Sequence, residues 1–208
     1  MSSSAALVLK PRKQPVQRRS TETVAVILDA TIQVLVVVGK ERLTTTRVAQ
    51  RAGVSVGTLY QYFPNKRSLL QATLRRHLTT VTESIERACE LYRDEPLCVM
   101  VPGISNAFFS AKMKDPKVSS ALYSVSSDVD GKRILDELRL RNTKALTTVL
   151  ATAPERLAVD IELAAFMLLG AMTGIGRSIL EARFPAKEHD KLRQELANML
   201  CAYVGRTV

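Results

Sequence analysis

The chain has 208 residues, 46% of them apolar and 24% charged, which allows a real hydrophobic core and excludes a disordered chain. Its net charge of +10 is segregated: thirteen basic residues and three carboxylates precede Leu78, and seventeen of each follow, so the excess belongs to an N-terminal unit that faces a polyanion. Three cysteines without a CxxC pair, two His, no Trp and no uncharged apolar run of roughly 18 residues exclude a disulfide scaffold, a His-rich metal centre and a membrane span.

Residues 1–20 read as a flexible basic arm, with Lys10, Arg12, Lys13, Arg18 and Arg19 among Pro and Ser and no acid. Its charges follow a short apolar stretch, the reverse of a signal peptide, so a cytoplasmic protein is expected. From Val24 the residues Val24, Ile27, Leu28, Ile32 and Leu35 mark one face of a helix of about 16 residues, stopped at Gly39. Thr44 or Thr45 caps a short helix that Gly53 ends, Ser55 caps a second that ends before Pro64, and Asn65 caps a long third. The stripe of that helix is Leu70, Leu74, Leu78, Val81, Ile85, Cys89 and Tyr92, up to Pro96. Later helices are divided at Pro102-Gly103, Asp115-Pro116, Ser126–Gly131, Ala153-Pro154 and Pro185. No strand pattern stands out, and the fold is expected to be all-α.

Residues 45–64 have the spacing of a helix-turn-helix. Ala49 supplies a small residue where two helices cross, Gly53 a turn residue free to adopt positive φ, and Val48, Ala52, Val54 and Leu59 the apolar plugs. The outward remainder is Thr45, Thr46, Arg47, Ser55, Val56, Gly57, Thr58, Tyr60, Gln61, Tyr62 and Lys66. It carries hydroxyls, an amide, phenols and cations and no carboxylate, the donor set that phosphate contacts require. Any three-helix packing unit needs small and apolar residues at such positions, but packing alone explains neither the missing acids nor the segregated charge.

The run AQRAGVSVGTLYQYFPNKRSLL, within a match of about 50 residues, resembles the signature of the TetR (tetracycline-repressor-like) family of bacterial transcription regulators. The resemblance implies three parts: the basic arm at 1–20, a three-helix DNA-binding domain at 21–67, and a helical ligand-binding and dimerisation domain at 68–208. It implies that Thr45, Thr46 and Arg47 meet phosphates, with Arg47 also near a base edge. Val56, Gly57 and Gln61 would face bases in the major groove, Val56 suiting a thymine methyl. Thr58, Tyr60, Tyr62 and Lys66 would bind backbone phosphates, and the arm would lie in the minor groove or act as a solubility extension.

A recognition unit this small implies a homodimer on a palindromic operator in double-stranded DNA. The candidate interface is Leu163, Phe166, Gly170 and Gly174 with Leu192, Leu196, Met199, Leu200 and Tyr203, where glycines allow close helix approach. Burial inside one subunit is the alternative. The family's effector cavity would be lined by Met100, Phe108, Phe109, Met113, Leu122, Tyr123, Phe166 and Met167, groups that equally suit a plain core. Few charges lie near them, so an apolar or aromatic small molecule is expected. Release of a repressor by that effector is the leading reading. A redox-responsive regulator using Cys89 and Cys98, or a non-specific DNA-coating protein, are the alternatives. Neither His77 nor His189 sits in a nucleophile, acid–base or metal arrangement, so no enzyme, cofactor or metal is expected.

Overall fold

A computed structural model describes residues 18–157, 159–181 and 185–205. Lys10, Arg12 and Lys13 of the basic arm lie outside these residues. The described chain is helical throughout: α1 (Arg18–Arg42), α2 (Thr45–Ala52), α3 (Val56–Tyr62), α4 (Lys66–Leu91), α5 (Leu97–Lys112), α6 (Pro116–Ser124), α7 (Gly131–Leu150), α8 (Ile161–Leu180) and α9 (His189–Val204). Short 3-10 turns at Ser126–Asp128 and Ala186–Glu188 precede α7 and α9. These helices form two compact units.

The first unit holds the described residues up to Arg76 together with Ala121–Arg133. Helix α1 starts at Arg18, inside the expected tail. Its regular run breaks at Gly39, as expected: that residue leaves helical geometry at φ 76° and ψ 170°, and a further short turn runs on to Arg42. Ile27, Ala30, Val34 and Leu35 of α1 are buried in this unit, as are Leu43, Val48, Ala49, Leu59, Phe63, Leu69 and Leu70. Each short helix needs its caps, because two turns alone cannot offset nucleation.

The second unit holds His77–Ser120 and the described residues from Ile134 onward. Its core gathers Ile85, Cys89, Met100, Ile104, Phe108, Phe109, Leu146, Leu168, Met172, Leu196 and Leu200, among others. Helix α5 packs on α8 and α9, and α8 on α9. The expected break at Pro102-Gly103 is absent, and α5 runs through both residues. Pro102 removes the hydrogen bond to the Cys98 carbonyl one turn earlier, and Cys98 is exposed, so water can satisfy that carbonyl.

Gly103 is needed for a different reason: a Cβ there would overlap the Tyr92 ring. Gly103→Ala is therefore expected to lower stability by about 1–3 kcal/mol despite its better helix propensity. Chemical denaturation checks this, and pairing with Tyr92→Ala should relieve the loss if the ring is its cause.

Helices α1 and α8 are each long and apolar enough, by length and composition, to cross a membrane. This differs from the sequence expectation, because single polar residues within them dilute the apolar character too little. Each buries one stripe in its own unit: Ile27, Ala30, Val34 and Leu35 in α1, and Ala164, Ala165, Leu168, Leu169 and Met172 in α8. Such a stripe is what an amphipathic core helix presents.

Candidate nucleic-acid interface

The caps fix the geometry of the helix-turn-helix. Thr44 accepts a hydrogen bond from the Arg47 amide at 3.2 Å and opens α2. Gly53 closes it with φ 67° and ψ 28°. The Gly53 amide donates to the Gln50 carbonyl and the Val54 amide to the Ala49 carbonyl, the two bonds of a Schellman motif. Only glycine takes that conformation without strain. Ser55 accepts from the Thr58 amide at 2.9 Å and opens α3. Asn65 opens α4 reciprocally, accepting from the Ser68 amide at 2.8 Å while the Asn65 amide donates to the Ser68 hydroxyl. Val48, Ala49 and Leu59 are buried between the helices, as their spacing required.

What remains outward is the expected set. Thr46, Arg47, Ser55, Gly57, Tyr60 and Gln61 are exposed, and Thr45, Val56, Thr58, Tyr62 and Lys66 are half-buried. No Asp or Glu occurs between Glu41 and Glu83, so α2, α3 and the start of α4 carry no carboxylate of their own. The structure adds constraints that spacing alone does not reveal. The Tyr60 phenol pairs with the Thr45 hydroxyl at 3.0 Å, joining the start of α2 to α3. The Ser20 hydroxyl donates to the Tyr62 phenol at 3.1 Å. Arg51 donates through Nε to the Gln33 side chain, pinning α2 to α1.

Lys66 directs its ammonium inward, donating to the Lys40 carbonyl at 2.7 Å. Lys40 in turn pairs with Asp128 at 3.0 Å. The hydrogen bond and charge of Lys40 hold the Asp128 carboxyl below the usual carboxylate range, and Asp128 raises Lys40. Both groups are exposed to solvent, so the pair positions the segment rather than stabilising it strongly. A buried bond from the Gln71 side chain to the Val129 carbonyl at 3.1 Å fixes the same segment. Thus Ala121–Arg133 belongs to this unit, a partner that no local sequence signal announces.

The other candidate residues fall into separate places. Met100, Phe108 and Phe109 are in the core of the second unit, the two rings edge to face at 5.0 Å, and Met113 is half-buried. Leu122 is buried and Tyr123 half-buried in the first unit. Phe166 and Met167 are 52% and 47% exposed on α8 and do not share an interior with Phe109. Space among Val101, Ile104, Leu146, Leu150, Leu168, Met172 and Leu200 is about 10 Å³, room for one water. A larger open groove of about 530 Å³ runs between α4 and α7, with Glu86, Glu90, Arg93, Arg141 and Lys144 on its rim.

On the surface of α8, Leu163 and Phe166 are exposed, and a Cβ at Gly170 or Gly174 would meet nothing within 4 Å. On α9, Met199 is exposed and Leu192 and Tyr203 are half-buried, while Leu196 and Leu200 belong to the subunit's own core. His77 is committed to structure. The Ser119 hydroxyl donates to the Lys112 carbonyl at 2.6 Å, which leaves its oxygen to accept from His77 Nε2 at 3.1 Å. Cys89 is buried, and burial, then Glu90 and Glu86, push its thiol up to about 12. So little thiolate forms there that it is a poor redox centre.

Family comparisons agree with this geometry. The model for bacterial regulatory proteins of the tetR family matches residues 27–73, and that for the tetracyclin repressor-like C-terminal domain matches 96–203. The HTH-type transcriptional regulator BetI 2 of Chromohalobacter salexigens is 28% identical over 200 residues, covering 90% of this chain and 92% of its own. The HTH-type transcriptional repressor KstR of Mycolicibacterium smegmatis is 44% identical over 62 residues, 30% of each chain. Among solved structures, a chain from Mesorhizobium loti MAFF303099 classed with TetR-family regulators superposes with a TM-score of 0.75 at 15% identity, covering 91% of this chain and 98% of its own. LfrR from Mycobacterium smegmatis, solved in complex with proflavine, superposes with a TM-score of 0.59 at 17% identity, covering 91% and 99%.

Proposed function

The chain belongs to the TetR family of bacterial transcriptional regulators, and from that premise we propose that it is a cytoplasmic, homodimeric repressor released from a palindromic operator by a small apolar or aromatic effector. Its class, a DNA-binding regulator of transcription, is that of the family, whose members are regulators rather than enzymes. The observation that carries the reading is the acid-free outward face of α2 and α3, presented by caps that hold both helices rigid.

The proposed roles follow from exposure. Arg47, Gly57 and Gln61 are exposed, and Gly57 lets the backbone approach base edges. Tyr60 and Thr45 act as one hydrogen-bonded pair against phosphate. Lys66 keeps two N–H donors beyond the one held by the Lys40 carbonyl, enough to clamp a phosphate. We assign DNA binding to 21–67 and effector and partner contacts to 68–208. The exposed Leu163, Phe166, Gly170, Gly174 and Met199 support pairing through α8 and α9. An apolar effector would have to open the tightly packed core of the second unit. A 100-fold loss of DNA affinity needs about 2.7 kcal/mol of preference for the non-binding state.

Selection from random-sequence duplexes tests the proposal: a palindrome should be enriched, and binding to it should fall steeply with salt. Lys66→Ala is expected to reduce the log–log salt slope by roughly one. Equal affinity for the enriched and scrambled duplexes at the same salt would favour the DNA-coating alternative.

A further inference from the structure

Two observations set the register of α5 against α9. The Arg193 guanidinium lies 5.6 Å from the Phe109 ring, which joins the late part of α5 to the early part of α9. Val101 and Leu200 line the same small internal space, which joins early α5 to late α9. The two helices are therefore antiparallel, and this register carries Cys98, in the first turn of α5, to the level of Cys201, in the last turn of α9. Electrostatics agree: burial, and then the neighbouring Cys98, push the Cys201 thiol up. Cys98 is exposed and Cys201 half-buried.

We propose that Cys98 and Cys201 are a redox-active thiol pair that closes to an intramolecular disulfide when the protein meets hydrogen peroxide or an organic hydroperoxide. Cys98, the accessible member, reacts first. Its thiolate sulfur attacks the peroxide, an S–O bond forms as the O–O bond breaks, and two electrons pass to the leaving oxygen, which departs with a proton as water or alcohol. Cys98 is then a sulfenic acid. The Cys201 sulfur attacks Cys98, an S–S bond forms as the S–O bond breaks, and the hydroxide leaves with the Cys201 proton as water. With hydrogen peroxide, two thiols and one peroxide become one disulfide and two waters. The bridge ties the start of α5 to the end of α9, the helix that also carries Met199 and Tyr203. Cys89 takes no part, since it is buried on α4 and holds its proton.

The test uses the full chain, reduced, desalted and treated with a few equivalents of hydrogen peroxide. It is then unfolded and alkylated with N-ethylmaleimide. The expected result is one maleimide per chain, on Cys89, and a trypsin fragment joining Asp94–Lys112 to Gln194–Arg206. Dithiothreitol should restore three maleimides. The oxidised protein should melt roughly 5 °C or more above the reduced one. Cys201→Ser should abolish both the linked fragment and the rise, and Cys89→Ser should preserve them. The proposal is overturned by three maleimides after peroxide, by a link that includes Cys89, or by Cys98–Cys98 links between chains. Mass and melting do not depend on DNA binding, so failure here leaves the regulator reading intact, and failure of that reading leaves the thiol pair intact.

Discussion

Gly57→Glu is expected to lower operator affinity by at least about 100-fold, about 2.7 kcal/mol, without lowering the melting temperature. The structure separates the two effects. A Cβ at position 57 would meet nothing closer than Ser55 Oγ at 3.7 Å, an ordinary contact, so the fold accepts a side chain there. Position 57 is the second residue of α3, where a carboxylate is favoured by the helix N-terminus. Replacing glycine in a helix also gains up to about 1 kcal/mol of propensity. In isolation the variant should be at least as stable as the parent.

On DNA the same carboxylate would face the polyanion from the centre of an acid-free surface, losing its hydration without gaining a partner. Gly57→Ala separates shape from charge. It should stabilise the fold by a similar amount and weaken binding less than the glutamate does. Thermal melts and fluorescence anisotropy on the selected palindrome measure both quantities. Glutamate-variant affinity within threefold of the parent would remove α3 from the interface.

The second large effect is expected at Phe166→Glu, which should convert a dimer to a monomer, raising the dimer dissociation constant by roughly a thousandfold, while helical content is retained. Phe166 is 52% exposed beside exposed Leu163 and Met167. In a two-fold interface the ring occurs twice, and losing the burial of each costs about 2 kcal/mol. Burying two like charges there adds to that loss.

The isolated subunit should tolerate the change. Arg139 lies 5.9 Å from the Phe166 ring and offers the new carboxylate a cation at the surface. Sedimentation velocity gives the mass and circular dichroism the fold. On the proposed palindrome, read by two copies, operator affinity should fall with the dimer. A variant that remains dimeric with the parent's affinity would move the interface away from α8. Leu196→Ala, by contrast, should act mainly on subunit stability, since Leu196 is buried within the chain itself.

The recognition unit was legible from the residues because its determinants are local. Thr44, Ser55 and Asn65 each cap a helix through a backbone amide three residues on, and Gly53 adopts the one conformation its turn needs. Capping and φ preferences act over three or four residues, so sequence spacing displays them directly. The break at Gly39 was legible in the same way, but the short turn beyond it and the continuation of α5 through Pro102 were not. A breaker residue signals a lost hydrogen bond, but whether the helix ends there depends on whether surrounding packing offsets that loss.

Other features were decided only by tertiary structure, for the same physical reason. The segment Ala121–Arg133 enters the first unit through Lys40–Asp128 and Gln71–Val129, contacts that span more than fifty residues of chain. Cys98 comes level with Cys201 only because α5 and α9 pack antiparallel in one register. The apolar runs of α8 and α9 announced burial without a direction, and packing sent Leu196 and Leu200 inward while leaving Phe166 and Met199 outside. Sequence by itself determined an all-helical chain with an acid-free helix-turn-helix face, since composition and local stereochemistry suffice for that, and the regulator class came from family resemblance alone. Which apolar residues remain free to meet a partner, and which thiols become neighbours, are properties of helix register, and register exists only once the helices have packed.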